Sequence, residues 1–334
     1  MKLLRELLLT VLTTLFALTV QAADFQVNCG RIGQGLNTIT AAIAKISEKA
    51  KHEALGPNTI TVTGACVENV SIISLDNITL QASPAGASIS DPSSGTLDAV
   101  VVVDSNRFAL NGFTINGSVQ CGNNTVCRLS GNTIQNSQTF YALRASRSHV
   151  DSQNDTFINN PGAVGVLVVN QSRAVLIDDT ISNNGDHGIQ VTFGSFVLLS
   201  SASATTTVSN NGGHGVLAFS HGTVRLQFAN VTGNAGDGIR VQDGSVLRTD
   251  FVAPTVNNIT GNGGAGVNLG DQSHAWFAND GSMNITGNLG GTDVYCAGQF
   301  PATRHVDSVG GTTNCVEPNP ESPKRRSQRS RKQN

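Results

Sequence analysis

An Asn-centred block recurs through this chain, and its period decides which folds are open to it. The block reads Asn183-Asn184-Gly185-Asp186-His187-Gly188-Ile189 and Asn210-Asn211-Gly212-Gly213-His214-Gly215-Val216. It returns as Gly233-Asn234-Ala235-Gly236-Asp237-Gly238-Ile239 and Gly261-Asn262-Gly263-Gly264-Ala265-Gly266-Val267, with related copies at Asn159-Asn160 and Gly287-Asn288. The second residues of these copies, Asn160, Asn184, Asn211, Asn234, Asn262 and Asn288, fall at intervals of 24, 27, 23, 28 and 26 residues. Self-similarity at such a period marks a solenoid, in which each repeat is one rung and buries its apolar face against its neighbours.

Within a rung, short alternating stretches are punctuated by turn residues: Gly188-Ile189-Gln190-Val191, then Phe196-Val197-Leu198-Leu199, then Thr207-Val208 before the next Asn pair. This predicts three strands per rung, with alternate Ile, Val and Leu stacked inward and with Asn and Gly in the left-handed turns that other residues resist. A core so narrow needs no aromatic bulk, which suits a chain with 36 glycines but one Trp and two Tyr. Beyond about residue 56 no 3.6-residue periodicity appears, so the interleaved helices of a globular α/β fold are missing. A calcium-binding nonapeptide roll is excluded by the length of the repeat and by Val267-Asn268 where that motif needs Asp. The expected fold class is all-β: a parallel β-helix solenoid with a short N-terminal capping helix.

The ends of the chain are of a different character. Lys2 and Arg5 precede an apolar run from Leu7 to Val20 and then Gln21-Ala22, the pattern of a signal peptide cleaved after Ala22. That run is too short for a membrane span, which takes about 20 residues, and no later segment is apolar enough, so a secreted, periplasmic or cell-surface protein is expected. Asn37-Thr38 followed by Ile39, Ala42, Ile43 and Ile46 on one face predicts a capped amphipathic helix to about Ala54, closing the first rung. The boundaries read 1–22 signal peptide, 23–56 cap, 57–316 solenoid and 317–334 disordered tail. The body from Ala23 to Val316 has 13 basic against 20 acidic side chains, whereas the tail has six against two and is positioned to touch anionic polymers. Six cysteines, all after residue 22, fit a disulfide set. Proximity favours Cys29–Cys66, Cys121–Cys127 and Cys296–Cys315, among 15 connectivities open to six cysteines.

The cap helix, the segment Ile60-Thr61-Val62-Thr63-Gly64-Ala65-Cys66-Val67-Glu68-Asn69-Val70 and the Asn-Asn-x-x-x-Gly-Ile rungs resemble right-handed parallel β-helix proteins of the pectin-lyase-like superfamily, over roughly residues 30 to 298. The resemblance implies a right-handed coil and a carbohydrate-related role. It does not select a reaction, because that superfamily holds lyases, hydrolases, epimerases and tailspikes.

Candidate residues fall into three sets. Asp155 and Asp179 occupy the same place on successive rungs, with Asp178 beside the latter, and two carboxylates at rung spacing suit acid and base roles in glycoside hydrolysis. Asp178-Asp179 and Gly213-His214-Gly215 are similar to two polygalacturonase clusters. The other two are not reproduced: Asn154-Asp155-Thr156 is permuted and there is no Arg-Ile-Lys. Three places after the marker Asn, successive rungs carry His187, His214 and Asp237, a column suited to a shared ion, a substrate hydroxyl or proton transfer. One place after the strand-opening residue, Arg144, Leu167, Gln190, Leu217, Arg240 and Asn268 define an exposed strip, in which Arg144, Gln190, Arg240 and Asn268 are the expected ligand-binding groups, while Phe193, Phe219 and Trp276 are available to stack on sugars. A β-helix lyase of the resembling kind implies an Arg or Lys base, often with Ca²⁺. The solenoid has no lysine between Lys51 and Lys324, and Arg144 and Arg240 stand rungs apart. The residues themselves specify no cofactor and no dedicated metal site. The expectation is therefore an exported protein that binds polysaccharide, with a lyase or hydrolase, or a structural or adhesive surface protein, as alternatives.

Overall fold

The computed structural model describes residues 23–31, 35–50, 56–249, 256–278, 283–297, 302–304 and 309–315. The expected signal peptide and the basic tail lie outside them. Strands recur three to a rung, and every strand pairing between described residues is parallel. Each strand pairs with its equivalents one rung before and after, giving three long sheets of about ten coils. Sheet A has twelve strands, from Ala23–Asn28 to Ala302–Arg304. Sheet B has ten, from Ala65–Val67 to Met283–Thr286, and sheet C has ten, from Val70–Ile73 to Val294–Cys296. In the rung read above, the strands are Ile189–Val191 in C, Phe196–Ser200 in A and Thr206–Ser209 in B.

Period-two alternation sends one side chain of each pair into the lumen. In sheet C, Leu143, Val166, Ile189, Val216, Ile239 and Val267 pair in register, and all are fully buried. In sheet B, Ile134, Phe157, Ile181, Val208 and Val231 do the same.

The Asn pair of each block has two jobs. The first member takes the left-handed backbone, with φ of 56° at Asn159, 53° at Asn183 and 54° at Asn210, and Gly233, Gly261 and Gly287 fill the same place in later copies. The second member is a ladder residue. Asn160, Asn184, Asn211, Asn234 and Asn262 are almost fully buried, and each Nδ2 donates to the Oδ1 of the next rung's Asn at 2.8–3.0 Å, ending at Asn288. Asn288 in turn donates to Asp293. The glycine that follows is explained by this ladder. A Cβ on Gly188 would lie 2.7 Å from Asn211 Nδ2 and 2.5 Å from a Val208 methyl, and Gly215 and Gly238 are equally confined.

The expected cap helix, α1, spans Ile39–Ala50 with Ile39, Ala42, Ile43 and Ile46 buried. Thr38 Oγ1 accepts from Ala41 N–H (3.1 Å) as the local cap. Glu68 adds a cap from the solenoid, accepting from the N–H of Ile39 (2.7 Å) and Thr40 (2.9 Å), where a carboxylate also suits the positive helix end. All three favoured disulfides are formed: Cys29–Cys66 ties the segment before α1 to the second strand of the next rung, and Cys296–Cys315 holds the last segment. No helix among the described residues is long and apolar enough to cross a membrane.

Candidate functional site

The carboxylates that suggested hydrolysis face inward. Asp155 and Asp179 stack as expected, but they are 1% and 0% exposed, at the turn between sheets A and B. They belong to a polar ladder that satisfies turn amides: Asn132 N–H donates to Asp155 Oδ1 (2.7 Å), and Asp155 N–H donates to Asp179 Oδ1 (2.7 Å). Asn132 Nδ2 and Ser152 Oγ also donate to Asp155. Burial pushes both carboxyls above the ordinary range, and Asp179, with the Asp155 charge adding, goes furthest, to about 8. Asp178 is also occupied: its carboxylate accepts from the backbone of Ala202, Ser203 and Ala204 at 2.8–3.1 Å, and these bonds hold its pKa below the usual value. All three carboxylates are thus taken up by donors of the solenoid itself, and Asp155 and Asp179 are closed off from solvent.

The column of His187, His214 and Asp237 sits on the turn that enters sheet C. The two imidazoles stack with centroids 5.0 Å apart and planes 15° from parallel. His214 N–H donates to His187 Nδ1 (2.9 Å), and Asp237 N–H donates to His214 Nδ1 (2.9 Å). Ala265 N–H donates to Asp237 Oδ1 (2.9 Å), so each side chain of the column receives the amide of the rung below. This fixes the histidine chemistry. Nδ1 must keep its lone pair, so the neutral ring carries its proton on Nε2, which is then a donor and not a metal ligand. Protonation would sacrifice the Nδ1 bond in a half-buried place. Burial lowers both pKa values, that of His214 to about 4, with the neighbouring imidazole adding to the effect on His214.

The expected strip is present as one outward column of sheet C. Gln120, Arg144, Leu167, Gln190, Leu217, Arg240, Asn268 and Tyr295 pair rung to rung. All but Leu167 are at least partly exposed. At its lower end it merges with the histidine column, because Asn268 Nδ2 donates to Asp237 Oδ2 (3.0 Å) and the Arg240 guanidinium lies 3.7 Å from the same oxygen. Arg240 Nε also donates to Gln242 Oε1. The face therefore brings together His187, His214, Asp237, Arg240 and Asn268, while Gln190 stands between this group and Arg144, about 19 Å from Arg240 at ~4.8 Å per rung.

Around Arg144 lies a group that the sequence did not single out. Tyr141 O–H is within reach of Asp98 Oδ2 (3.2 Å) and Gln120 Oε1 (3.1 Å), and the Arg144 guanidinium sits 5.6 Å from the Tyr141 ring centroid. Burial, with the Asp98 charge adding, pushes the Tyr141 phenol up to about 12. These residues lie in rungs whose Asn block is absent, so the repeat gave no register by which to align Asp98 and Gln120 with Tyr141. Trp276, by contrast, lies on sheet A under Arg248, away from the strip.

A model of the right-handed β-helix region matches residues 63–252, more than half of the chain. The chain belongs to the right-handed β-helix family. Among solved structures, this β-helix protein is similar to the A-module of the Azotobacter vinelandii mannuronan C-5 epimerase AlgE6, with a TM-score of 0.57 and 12% identity over 84% of this chain and 92% of that one. The corresponding module of AlgE4 gives 0.58 and 13%, covering 83% and 86%. A pectate lyase, Pel9A, gives 0.50 and 14%, covering 90% and 80%. At such identities the likeness is one of fold. A comparison with curated proteins gave no match.

Proposed function

We propose that this β-helix protein is exported and binds polysaccharide of the cell envelope or the environment along the outer face of sheet C. The observation that carries the reading is the half-exposed outward column Gln120, Arg144, Gln190, Arg240 and Asn268, which presents hydrogen-bonding groups one or two rungs apart, with Leu167 and Leu217 between them, and is joined by the fixed Nε2–H donors of His187 and His214. Donors and acceptors at intervals of one or two rungs along one face suit a polymer whose hydroxyls repeat. Three disulfides favour an oxidising compartment, and the proteins of similar fold are named for mannuronan and pectate. The basic tail is a second contact to anionic polymer in the same reading.

One observation favours a catalytic reading instead: Tyr141, Asp98, Gln120 and Arg144 form a hydrogen-bonded phenol–carboxylate group on this same face. The two readings part in one experiment. The mature protein is run through gels containing polymannuronate, pectate or a neutral glucan, with and without Ca²⁺, and the same mixtures are assayed for new reducing ends and for absorbance of unsaturated products. Retardation without new ends supports binding. New ends or unsaturated products move the assignment to an enzyme. Neither would overturn the proposal in favour of a structural or adhesive surface protein.

A further inference from the structure

We infer that Phe193, on the turn leading from sheet C to sheet A, is a stacking platform for one pyranose ring of the polymer bound along sheet C. The inference rests on the polysaccharide reading above and adds a subsite to it.

At this turn the backbone is left-handed at two successive positions in most rungs, the second being Asn124, Gln171, Gly194, His221 and Gly244. Asn123, Arg147, Asn170, Phe193, Ser220 and Asp243 have φ between 43° and 59°, and backbone bonds such as Gln171 N–H to Phe193 O and Gly194 N–H to Ser220 O hold them in one column. Asn and Asp tolerate that conformation because their short polar side chains bond locally. A Phe does not, and its presence there costs free energy. Burial does not recover the cost, since Phe193 is 56% exposed. Among the described residues its one aromatic contact is edge-on, to Phe219 at 6.3 Å and 63°. A strained, exposed aromatic side chain where the column otherwise carries polar or charged residues is poorly explained by folding.

What surrounds the ring points to a sugar. Phe193 lines a shallow recess of about 540 Å³ with Gln171, Gly194, Ser220, His221 and Asp243. Among the described residues the side chains of Gln171, His221 and Asp243 have no hydrogen-bond partner, so an amide, an imidazole and a carboxylate stand free around one aromatic face. A pyranose needs that combination: an apolar ring face whose C–H groups meet the negative face of the arene, and a rim of hydroxyls that both donate and accept. The site adjoins the proposed binding face, because Phe193 follows Val191 of the sheet C strand that carries Gln190. Two to four rungs away, about 10–19 Å at ~4.8 Å per rung, the same turn column forms a second recess of about 440 Å³ lined by Asp104, Asn123, Asn124 and Arg147. A polymer lying parallel to the solenoid axis meets both.

The decisive variant is Phe193→Asn, which places in this turn the residue already found at Asn123 and Asn170 of the same column. The polymer that retards the wild-type protein in the gel panel serves as the probe, alongside a thermal melt. The expected result is a Tm equal to or above that of wild type together with an at least tenfold weaker affinity, whereas Phe193→Trp keeps the affinity. Equal binding by Phe193→Asn would overturn the subsite while leaving the polysaccharide reading intact. A markedly lowered Tm would overturn it too, by showing that the ring serves the fold. If wild type retards no polymer, the polysaccharide reading fails first and the subsite with it.

Discussion

At the scale of single residues, position relative to the wall of the coil decides what a titratable group does. Asp179 lies inside, and its pKa is raised from 3.8 to about 8 by burial and by Asp155. A carboxyl raised on folding contributes stability that is complete below the unfolded value and is lost as pH rises through the folded one. Asp179→Asn keeps an acceptor for Asp155 N–H without the charge. It is expected to raise Tm by about 4 °C or more at pH 9 and to leave it nearly unchanged at pH 4. A melt series across that range checks this, and a variant less stable at every pH would show that the carboxylate itself is needed. The histidines carry the opposite sign. With folded pKa values below 6.5, their contribution is complete above that pH and falls away as the solution is acidified, for His214 through about 4. Nitrogen-detected NMR should find both rings protonated on Nε2 at pH 7, titrating below the ordinary value and unmoved by low Zn²⁺. A zinc-induced shift at Nε2 would contradict the fixed tautomer. The stacking of Asp155 with Asp179 and of His187 with His214 was legible in the sequence, but the burial that dominates their titration was not, because all four are polar residues in turns. Which way a turn side chain points depends on backbone geometry that spacing alone does not reveal.

At the scale of a rung, the legible part was the alternation. Ile189 and Gln190 are neighbours on one strand, the first fully buried between Val166 and Val216, the second half-exposed. Ile189→Asp is expected to cost more than about 4 kcal/mol by placing an unpaired charge in a dry stack. Gln190→Asp is expected to change stability by less than about 0.5 kcal/mol. Equal denaturant midpoints would show that the faces are reversed. The Asn blocks were visible as a repeat, but their two members looked alike as turn formers. Their division into a left-handed residue and a buried ladder rung needs the partner one coil away, as when Asn211 accepts from Asn184 and donates to Asn234. Asn211→Ala leaves those groups unpaired and should cost roughly 1–3 kcal/mol for each buried group orphaned. Gly188→Ala should be destabilising for the linked reason that its methyl meets the same amide. Both are read from chemical denaturation, and a neutral Gly188→Ala would show that the rung has slack.

At the scale of the whole molecule, the coil converts short-range repetition into long straight columns, so that residues some 25 positions apart in sequence become neighbours. That is why the fold, the cap helix and the disulfide pairs could be read from the period and the spacing of residues, and why the Tyr141–Asp98–Gln120–Arg144 group, in rungs without the block, could not. The three outer faces also differ. The described strands of sheet B carry no charged residue, with Thr156, Thr180, Thr207 and Asn230 forming one outward column, whereas sheet C presents Arg144 and Arg240. The central claim, that sheet C is the binding face, is tested most directly by comparing two triple variants in polysaccharide affinity gels. One removes the sheet C groups, Arg144→Ala with Gln190→Ala and Arg240→Ala, and the other removes Thr180→Ala, Thr207→Ala and Asn230→Ala from sheet B. The account predicts that the sheet C variant loses retardation by at least tenfold while the sheet B variant migrates as wild type. Retardation kept by the first and lost by the second would contradict it.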